Sequence, residues 1–369
     1  MKVLILSNYA NGLYLFRKEV VSSFIKSGND VCISVPQDEN CSKLKELGAR
    51  IVPSHLQRRG MNPLKDLKLL AEYLHLIGRE KPDMVFTYTI KPNLYGGLAS
   101  ALKKVPYAMN VTGLGTALEN PGILGKILLA FYRLVTAKAK CVFFQNSGNM
   151  EFMQKKGIAL KNSSLLPGSG VNLLEHPFVP YPSEEDGIRM LAVLRIMKDK
   201  GIEEYLYSAE TIASQYPHVQ FELVGEYEEE SREIYEPMIR DLEQRGILKY
   251  YGHIDNVAEV MAKSHILVHP SYHEGLSNVC LEAAACGRPV LTTDIPGCRE
   301  TIETAENASG ILFEARNRGA LAETIKTVLS FSWQARSQMG TNGRHHVEKH
   351  FDRQIVVDAY QERLTSCHS

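Results

Sequence analysis

The sequence predicts an α/β protein made of two doubly wound parallel-sheet domains in tandem. Short runs rich in Val and Ile alternate with stretches of helical periodicity, which is typical of β-α-β units covered on both faces of the sheet. The alternation pauses in the Pro-rich segment 171–186 and then resumes. A length of 369 residues also exceeds one ordinary domain. We expect one domain over 1–170, a second over 187–351, and a C-terminal helical segment over 352–369.

The first domain opens with the strand KVLILS, which precedes a helix near Leu13 to Lys26, and another helix begins at Pro63. The further predicted strands are VCISVP, ARIVPS, DMVFTYT, PYAMNVT and CVFFQN. The second domain repeats the pattern with the strands MLAVLRI, QFELVG, LKYYGHI, HILVHP, PVLTTD and GILFEA. Between the two, VNLLEHPFVPYPSEED combines three prolines with an acidic cluster and is predicted to be a linker.

The charge is balanced overall but unevenly distributed. The whole chain carries 42 basic and 42 acidic residues, yet residues 1–170 hold 23 Lys and Arg against 11 Asp and Glu, a net charge of +12. The remainder holds 19 against 31, a net charge of −12. So basic a first half favours anionic partners such as phosphates, nucleic acid or acidic lipid.

Other features of the composition bound the class of protein. Seven cysteines with no CxxC pair, and no secretory signal at the N-terminus, predict reduced thiols in a cytoplasmic protein. The longest apolar stretch, 122–144, is interrupted by four basic residues and is not expected to span a membrane. The turn SNYANGLYLFR has one glycine where a dinucleotide fingerprint needs three, and no GxxxxGK[ST] motif occurs. Without these motifs, the sequence gives little support for a nicotinamide-dependent oxidoreductase or a P-loop nucleotide-binding protein.

The stretch HEGLSNVCLEAAACGRP, residues 273–289, carries the strongest chemical signal. Ser277 is predicted to cap a helix that follows a strand, so the amides from Leu276 to Val279 would form an anion site at the carboxyl edge of the sheet. Glu274 and Glu282 flank that site, where carboxylates would repel phosphate but accept hydrogen bonds from hydroxyls. A sugar nucleotide offers both groups. The alternative, that the two glutamates only stabilise the helix end, stays open.

The spacing of Glu274 and Glu282, ExxxxxxxE within PSYHEGLSNVCLEAAACGRPV, resembles the signature of family 4 retaining glycosyltransferases of the GT-B fold. The resemblance spans nearly the whole chain and implies two Rossmann-like domains facing across a cleft, where open α/β sheets bind their ligands. It also implies that the C-terminal segment returns to the first domain. In RIMKDKG, Arg195 and Lys200 are placed as the family's diphosphate-binding Arg and Lys. Without the glutamates, such a pair is more often a set of solvated surface charges.

The resemblance assigns roles to individual residues. Glu274 would contact the donor sugar, Glu282 would hold the ribose hydroxyls, and Arg195 with Lys200 would neutralise the leaving diphosphate, so that Glu274, Arg195 and Lys200 form the candidate catalytic set. The other residues implied to bind the donor nucleotide are Gly275, Leu276, Ser277, Asn278, Gly225, His253, Ile254 and Gly12.

No metal or cofactor is expected. His265, His269 and His273 are spaced by four, but they fall on a strand and in a loop rather than on a helix. The absence of a DxD sequence agrees with the metal-independent catalysis that the resemblance implies. The nucleotide sugar, expected to be UDP-linked, is a substrate.

Two loops after the fourth and fifth strands, TYTIKPNLYGG and NVTGLGT, resemble the branch that extends polyprenyl-diphosphate-linked sugars in capsule, O-antigen and glycan assembly. Thr112 stands where many members have a His. Lys91 is the candidate for the acceptor phosphates, although a solvated loop lysine is the alternative. The remaining candidate acceptor residues are Asn93, Gly113 and Asn11, the last paired with Gly12 in a predicted turn.

A lipid-linked acceptor would account for the basic first domain. GKILLAFYRLVTAKAK combines an apolar face with basic residues, and Arg58, Arg59, Lys65 and Lys68 add a second basic stretch. We therefore expect peripheral attachment at the inner face of the cytoplasmic membrane. The alternative is that Leu128, Leu129, Phe131 and Leu134 only cover the sheet. Nucleic acid is not expected, because no recognisable binding module is present.

The sequence thus predicts a retaining transferase that moves a hexose or N-acetylhexosamine from a nucleotide sugar to a polyprenyl-diphosphate-linked saccharide. Two alternatives remain at this point: a UDP-sugar 2-epimerase of the same fold, and a non-catalytic nucleotide-sugar-binding protein. The oligomeric state is left open.

Overall fold

The structure is a computed structural model that describes residues 1–56, 62–114 and 122–366. The chain divides into two compact units, Met1–Ser169 with Arg353–Ser369, and Gly170–Asp352. Each unit contains one parallel sheet with helices on both of its faces. The predicted pair of Rossmann-like, parallel-sheet domains is therefore confirmed.

The sheet of the first unit has seven strands in the order β3-β2-β1-β4-β5-β6-β7, and every paired neighbour is parallel. Its strands are β1 Lys2–Leu6, β2 Asp30–Val35, β3 Arg50–Pro53, β4 Met84–Tyr88, β5 Tyr107–Val111, β6 Cys141–Phe144 and β7 Ser163–Leu165. Its helices are α1 Ala10–Lys26, α2 Cys41–Glu46, α3 Pro63–Glu80, α4 Gly97–Lys103 after a π-helical turn at Pro92–Gly96, α5 Ile123–Thr136 and α6 Ser147–Lys155.

The central strands of this sheet are buried on both faces. All five residues of β4 are buried, and Phe86 belongs to one core cluster while Val85 belongs to the other. Successive side chains of a strand point to opposite faces, so each apolar strand supplies two cores. This is why the strands read as continuous apolar runs rather than as an alternating pattern.

A helix from the far end of the chain completes the first unit. This helix, α13 Arg353–Thr365, packs against α1, and the buried Tyr360 ring lies 5.5 Å from Phe86 and 4.8 Å from Phe143, centroid to centroid. The buried Arg17 guanidinium donates through Nε to the Tyr360 hydroxyl at 3.2 Å. The C-terminal segment thus belongs to the core of the first unit.

The sheet of the second unit has six parallel strands in the order β10-β9-β8-β11-β12-β13. Its strands are β8 Ile188–Val193, β9 Val219–Val224, β10 Leu248–Tyr250, β11 Ile266–His269, β12 Val290–Thr293 and β13 Gly310–Phe313. Its helices are α7 Ile202–Ala213, α8 Arg232–Gln244, α9 Val257–Lys263, α10 Asn278–Ala285, α11 Arg318–Leu329 and α12 Trp333–His350.

The segment 171–186, which the sequence predicts to be a linker, is part of the second unit. The fully buried Arg288 guanidinium donates to the carbonyl of Val179 at 3.0 Å, and the Trp333 indole N–H donates to that of Pro182 at 2.8 Å. Arg336 binds both carboxylate oxygens of Glu184 at 2.7 Å. The prolines make this segment extended, but the three donors hold it against the helices. Composition alone does not reveal such tertiary contacts.

Candidate functional site

The stretch with the strongest chemical signal lies at the carboxyl edge of the second sheet. Strand β11 ends at His269, a loop follows, and α10 begins at Asn278 with Ser277 as its cap. The Ser277 hydroxyl accepts from the amide of Cys280 at 3.3 Å, as an N-cap does. Helix α10 ends before Gly287, whose φ of +79° is the left-handed conformation that ends many helices. The predicted strand, loop and capped helix are confirmed.

The amides at this helix start are only partly available to an anion. The Ser277 amide, predicted to meet phosphate, donates here to the carbonyl of Gly297 at 2.8 Å. The amides of Asn278 and Val279 belong to the first turn of α10, where no intrahelical acceptor exists. The positive end of the helix dipole therefore remains at the sheet edge, with these two amides at its front.

Glu274 lies in the loop in front of that helix start and is bound by two cationic groups. Lys200 Nζ is 2.6 Å from Oε1 of Glu274, and His269 Nε2 is 3.2 Å from the same oxygen. The Glu274 side chain is 16% exposed. Burial disfavours its charged form, but the hydrogen bond from His269 and the charge of Lys200 outweigh burial and lower the pKa of Glu274 to about 2. The carboxylate is therefore ionised throughout the ordinary pH range.

His269, which the sequence suggests only as part of a rejected metal cluster, is the second partner of Glu274. Its side chain is buried at 4% exposure, and the Cys298 thiol is next to the ring. Burial alone would lower the pKa of His269, but its contacts with Cys298 and Glu274 raise the pKa to about 9. The sequence signal is the position itself: His269 is the last residue of β11, at the edge where ligands of such sheets bind.

A close backbone approach brings Lys200 to this loop. Lys200 ends a short 3-10 turn, and Gly201 follows with φ of +73°. A Cβ atom at position 201 would lie 2.1 Å from the carbonyl oxygen of Pro270, so only glycine fits there. The amide of Tyr272 also donates to the carbonyl of Asp199 at 2.9 Å. These contacts fix the Lys200 turn against the Glu274 loop.

Arg195, the other predicted phosphate ligand, binds a different carboxylate. Its guanidinium is half exposed and pairs with Glu228, which lies in the loop after β9. The bridge between Ile196 and Tyr227 holds the loops after β8 and β9 side by side. The structure therefore places both predicted cations at the carboxyl edge of the second sheet and pairs each with its own carboxylate.

The other predicted donor residues of the second unit lie in loops at this edge or on α10. Gly225 follows β9 with φ of +144°, and a Cβ there would lie 1.8 Å from the carbonyl oxygen of Leu194. His253 is exposed, 3.5 Å from Asp255, while Ile254 is half-buried. Glu282 is half-buried on α10, and Gly275 lies between Glu274 and Leu276.

A loop that sequence reasoning missed lies against the helix start. Gly297 has φ of +84°, and a Cβ at that position would lie 2.7 Å from the carbonyl oxygen of Glu274. The Gly297 amide donates to Glu300 at 2.6 Å. This loop follows β12, the strand beside β11, so the order of strands in the sheet is the signal that could have found it.

In the first unit, the predicted acceptor residues make internal contacts. Lys91 pairs with Asp66 at 2.9 Å, and both side chains are largely buried. The buried Asn93 accepts from the Thr87 hydroxyl at 2.7 Å and donates to the carbonyl of Asn110 at 2.8 Å. Asn93 therefore ties together the carboxyl ends of β4 and β5.

The other first-unit candidates are Asn11, Gly12, Thr112 and Gly113. Asn11 and Gly12 are helical residues near the start of α1, so the predicted turn is wrong. The Asp38 carboxylate accepts from the amides of Ala10 and Asn11 at 3.0 and 3.4 Å, which stabilises this helix start. Thr112 and Gly113 are half-buried just beyond β5, and the rest of the loop, 115–121, lies outside the described residues.

Two further observations concern metals and membranes. Within residues 1–56, 62–114 and 122–366, no group of three or more His, Cys, Asp or Glu side chains is arranged to hold a metal ion. Across the same residues, no helix combines the length and the apolar character needed to cross a bilayer.

Comparisons with known proteins match both halves of the chain. The family described as "Glycosyl transferase 4-like" matches residues 2–146, and "Glycosyl transferases group 1" matches residues 178–346. An N,N'-diacetylbacillosaminyl-diphospho-undecaprenol alpha-1,3-N-acetylgalactosaminyltransferase of Campylobacter jejuni is 27% identical over 347 residues, 89% of each chain. The capsular polysaccharide biosynthesis glycosyltransferase CapM of Staphylococcus aureus is 26% identical, over 96% of this chain and 94% of its own.

Among solved structures, Anabaena HepE in complex with UDP and glucose superimposes with a TM-score of 0.81 at 17% identity, covering 99% of this chain and all of that one. A sucrose-phosphate synthase from Thermosynechococcus elongatus gives a TM-score of 0.76 at 18% identity, again over 99% of this chain. At these identities the likeness concerns the fold.

Proposed function

Because the chain belongs to the GT-B glycosyltransferases, we propose that it is a retaining, family 4 enzyme that uses a UDP-sugar. It moves a hexose or N-acetylhexosamine from that donor to a polyprenyl-diphosphate-linked saccharide in the synthesis of a bacterial surface polysaccharide such as capsule or O-antigen.

One observation carries the donor assignment: an ionised glutamate and a lysine meet in front of a helix start. Glu274 offers an acceptor for hydroxyls, while Lys200 and the first amides of α10 offer donors and positive charge for phosphate. A sugar nucleotide carries both hydroxyls and a diphosphate, which is why it fits this pair of groups. Anabaena HepE, solved with UDP and with UDP-glucose, has the same fold and makes UDP the first nucleotide to test.

The proposed chemistry rests on charge rather than on a protein nucleophile. As the bond from the sugar to the diphosphate breaks, negative charge develops on the leaving phosphate, and Arg195 with Lys200 neutralises it. Arg195 then exchanges its partner Glu228 for phosphate, a step favoured by its half-exposed position. The attacking hydroxyl of the acceptor gives its proton to the leaving phosphate on the same face of the sugar, which retains the anomeric configuration. No divalent metal is needed in this scheme.

The acceptor assignment is supported by the relatives and by the surface of the first unit. The Campylobacter jejuni relative acts, by its name, on a diphospho-undecaprenol-linked sugar. In the first unit, large apolar side chains are exposed at the start of α3 and along α5, with Leu64 at 81% and Ile123 at 80%. Lys65 and Lys126 are exposed beside them. We propose that this surface rests on the anionic inner face of the cytoplasmic membrane, where the lipid-linked acceptor is held.

The exposure of individual side chains decides which of the predicted residues we assign to the proposed surface. Leu128 is buried and covers the sheet, whereas Ile127 and Leu134 of the same helix are exposed. Arg58 and Arg59, part of the predicted basic stretch, lie outside the described residues. The membrane-facing surface is therefore assigned to the exposed apolar residues of α3 and α5 with their neighbouring lysines.

The experiment that tests the function measures nucleotide release from a panel of UDP- and GDP-sugars, with and without short polyprenyl-diphosphate-sugar acceptors. We expect one UDP-sugar to release UDP faster when the acceptor is present, and the Glu274→Ala and Arg195→Ala variants to abolish the increase. Interconversion of the donor sugar at C2 without transfer would identify an epimerase. Binding of a UDP-sugar with neither reaction would identify a binding protein.

A further inference from the structure

We propose that His269 is a positioning residue for the donor sugar: it holds Oε1 of Glu274, so that Oε2 alone is presented to a hydroxyl of the sugar. This inference rests on the proposed function and assigns His269 a role within the same site. It also specifies the chemistry of the group that occupies the position beside Oε2, which must be a hydrogen-bond donor.

The hydrogen bond between His269 and Glu274 has one possible direction. An ionised carboxylate only accepts hydrogen bonds, so the His269 Nε2, 3.2 Å away, must carry the proton. The other ring nitrogen, Nδ1, is buried without a hydrogen-bond partner among the described residues. The hydrogen bond to Glu274 therefore fixes the direction of the imidazole, with the Cys298 thiol next to the ring.

The two carboxylate oxygens of Glu274 differ in their contacts. Lys200 Nζ and His269 Nε2 both contact Oε1, at 2.6 and 3.2 Å. Oε2 accepts no hydrogen bond from the residues that the structure describes, and it is not among the buried side-chain atoms that lack a partner. One oxygen is thus saturated while the other is open to a ligand. A hydroxyl or an N–H group of the donor can approach the open oxygen favourably, whereas a phosphate oxygen would be repelled.

Glu274 needs a second hydrogen-bond donor besides Lys200. In the proposed reaction Lys200 turns part of its hydrogen-bonding capacity to the diphosphate. His269 then remains as the donor that keeps Glu274 from rotating, since its imidazole is buried at the end of β11 and cannot follow the ligand. A residue that only filled the core would have no such effect on the open oxygen.

The test compares His269→Leu, which removes the donor, with His269→Gln, whose amide N–H can replace it. His265→Gln is the matched control, because His265 is an equally buried histidine of the same unit whose ring nitrogens bind the amide of Arg189 and the carbonyl of Ser183. Each protein is assayed with the preferred UDP-sugar and with deoxy donors that each lack one sugar hydroxyl. Calorimetric binding of UDP and of the same donors is measured in parallel.

We expect His269→Leu to lower kcat/KM by about tenfold to a hundredfold, with the affinity for UDP alone changed by less than about threefold. His269→Gln recovers most of the loss, and His265→Gln retains wild-type kinetics. With one particular deoxy donor, the wild type loses a similar factor and His269→Leu loses no more. That non-additivity identifies the hydroxyl that Oε2 receives.

Two results would overturn the proposal. One is that the loss in kcat/KM from His269→Leu multiplies with the loss from every deoxy donor, and the other is that His269→Leu has wild-type kinetics. Binding keeps this test separate from that of the function. If the wild type binds a UDP-sugar but transfers nothing, the proposed function fails, and the deoxy-donor affinities still decide the role of His269. Failure of the wild type to bind any nucleotide sugar would overturn both.

Discussion

The two units share one architecture but use the polar side chains at their sheet edges differently. In the first unit, Asn93 and Lys91 bind neighbouring side chains and a backbone carbonyl. In the second, Lys200 and His269 converge on one oxygen of Glu274 and leave the other open. A polar residue at a strand end therefore indicates a binding site only when some of its hydrogen-bonding capacity is left for a ligand.

The charges of the two halves follow the same division. Residues 1–170 carry a net charge of +12 and the remainder −12, yet the predicted anion-binding cations, Arg195 and Lys200, lie in the acidic half. The basic half therefore provides a broad positive field, whereas the acidic half contains the candidate donor site, which is defined by local geometry.

The largest expected effect is on activity, and it comes from changing Glu274, the residue with the open oxygen. Glu274→Gln keeps the size of the side chain and removes its charge, and we expect kcat/KM to fall by about a hundredfold to a thousandfold. The control is Glu226→Gln, an exposed carboxylate at the same sheet edge, which should retain full activity. Equal activity of the two variants in steady-state assays would remove Glu274 from the site.

The second prediction separates function from stability at Arg195. Its side chain is 53% exposed, and exposed ion pairs contribute about 0–1 kcal/mol, so Arg195→Ala should leave the melting temperature nearly unchanged. Affinity for UDP, measured by calorimetry, should fall by about tenfold or more because a charged contact with phosphate is lost. Arg299→Ala, which removes an equally exposed arginine paired with Asp294, should change neither property. Unaltered UDP binding in Arg195→Ala would contradict the assignment.

For Asn93 in the first unit we predict the reverse of Arg195: a loss of stability with no loss of donor affinity. Asn93→Ala leaves the Thr87 hydroxyl and the Asn110 carbonyl without their buried partner, so the free energy of unfolding should fall by about 1–3 kcal/mol. Affinity for the donor should stay the same. A variant with normal stability in urea unfolding but weakened acceptor binding would instead assign Asn93 to the acceptor site.

How far the site was predictable follows from these residues. The strands, the Ser277 cap and the Glu274 position depend on local patterns and could be read from the sequence. The pairing of Lys200 with Glu274 depends on the close approach of Gly201 to Pro270, which are 69 positions apart. The Ser277 amide is occupied by the carbonyl of Gly297, a contact that the local sequence does not reveal. His269 was missed because a strand-end histidine looks like any core residue until its partner is known.

A smaller effect is expected in the pH dependence of stability. The pKa of His269 is raised from its ordinary value of 6.5 to about 9, so the imidazolium stabilises the fold fully below about pH 6.5 and that stabilisation is lost as the pH rises through 9. The titratable groups that face the ring are Glu274 and Cys298, with Lys200 and Cys280 behind them. His269→Gln should flatten the melting temperature between pH 6.5 and 9 relative to wild type. An unchanged profile would show that another group titrates.

The smallest effect concerns the proposed membrane-facing surface of the first unit. Ile123→Glu places a charge among the exposed apolar residues and should weaken sedimentation with anionic vesicles by several-fold at low salt. Ile234→Glu is the control, since Ile234 is 60% exposed on the second unit. High salt should reduce the binding of wild type as screening increases. Equal effects of the two substitutions would place the contact elsewhere.

The most direct test of the central claim is the product itself. Wild-type protein is incubated with the preferred UDP-sugar and a short polyprenyl-diphosphate-sugar acceptor, and the new linkage is assigned by NMR while UDP is counted. We predict one saccharide added per UDP released, with the anomeric configuration of the donor retained. An inverted linkage would contradict the retaining mechanism, and UDP released without an extended acceptor would contradict the transfer itself.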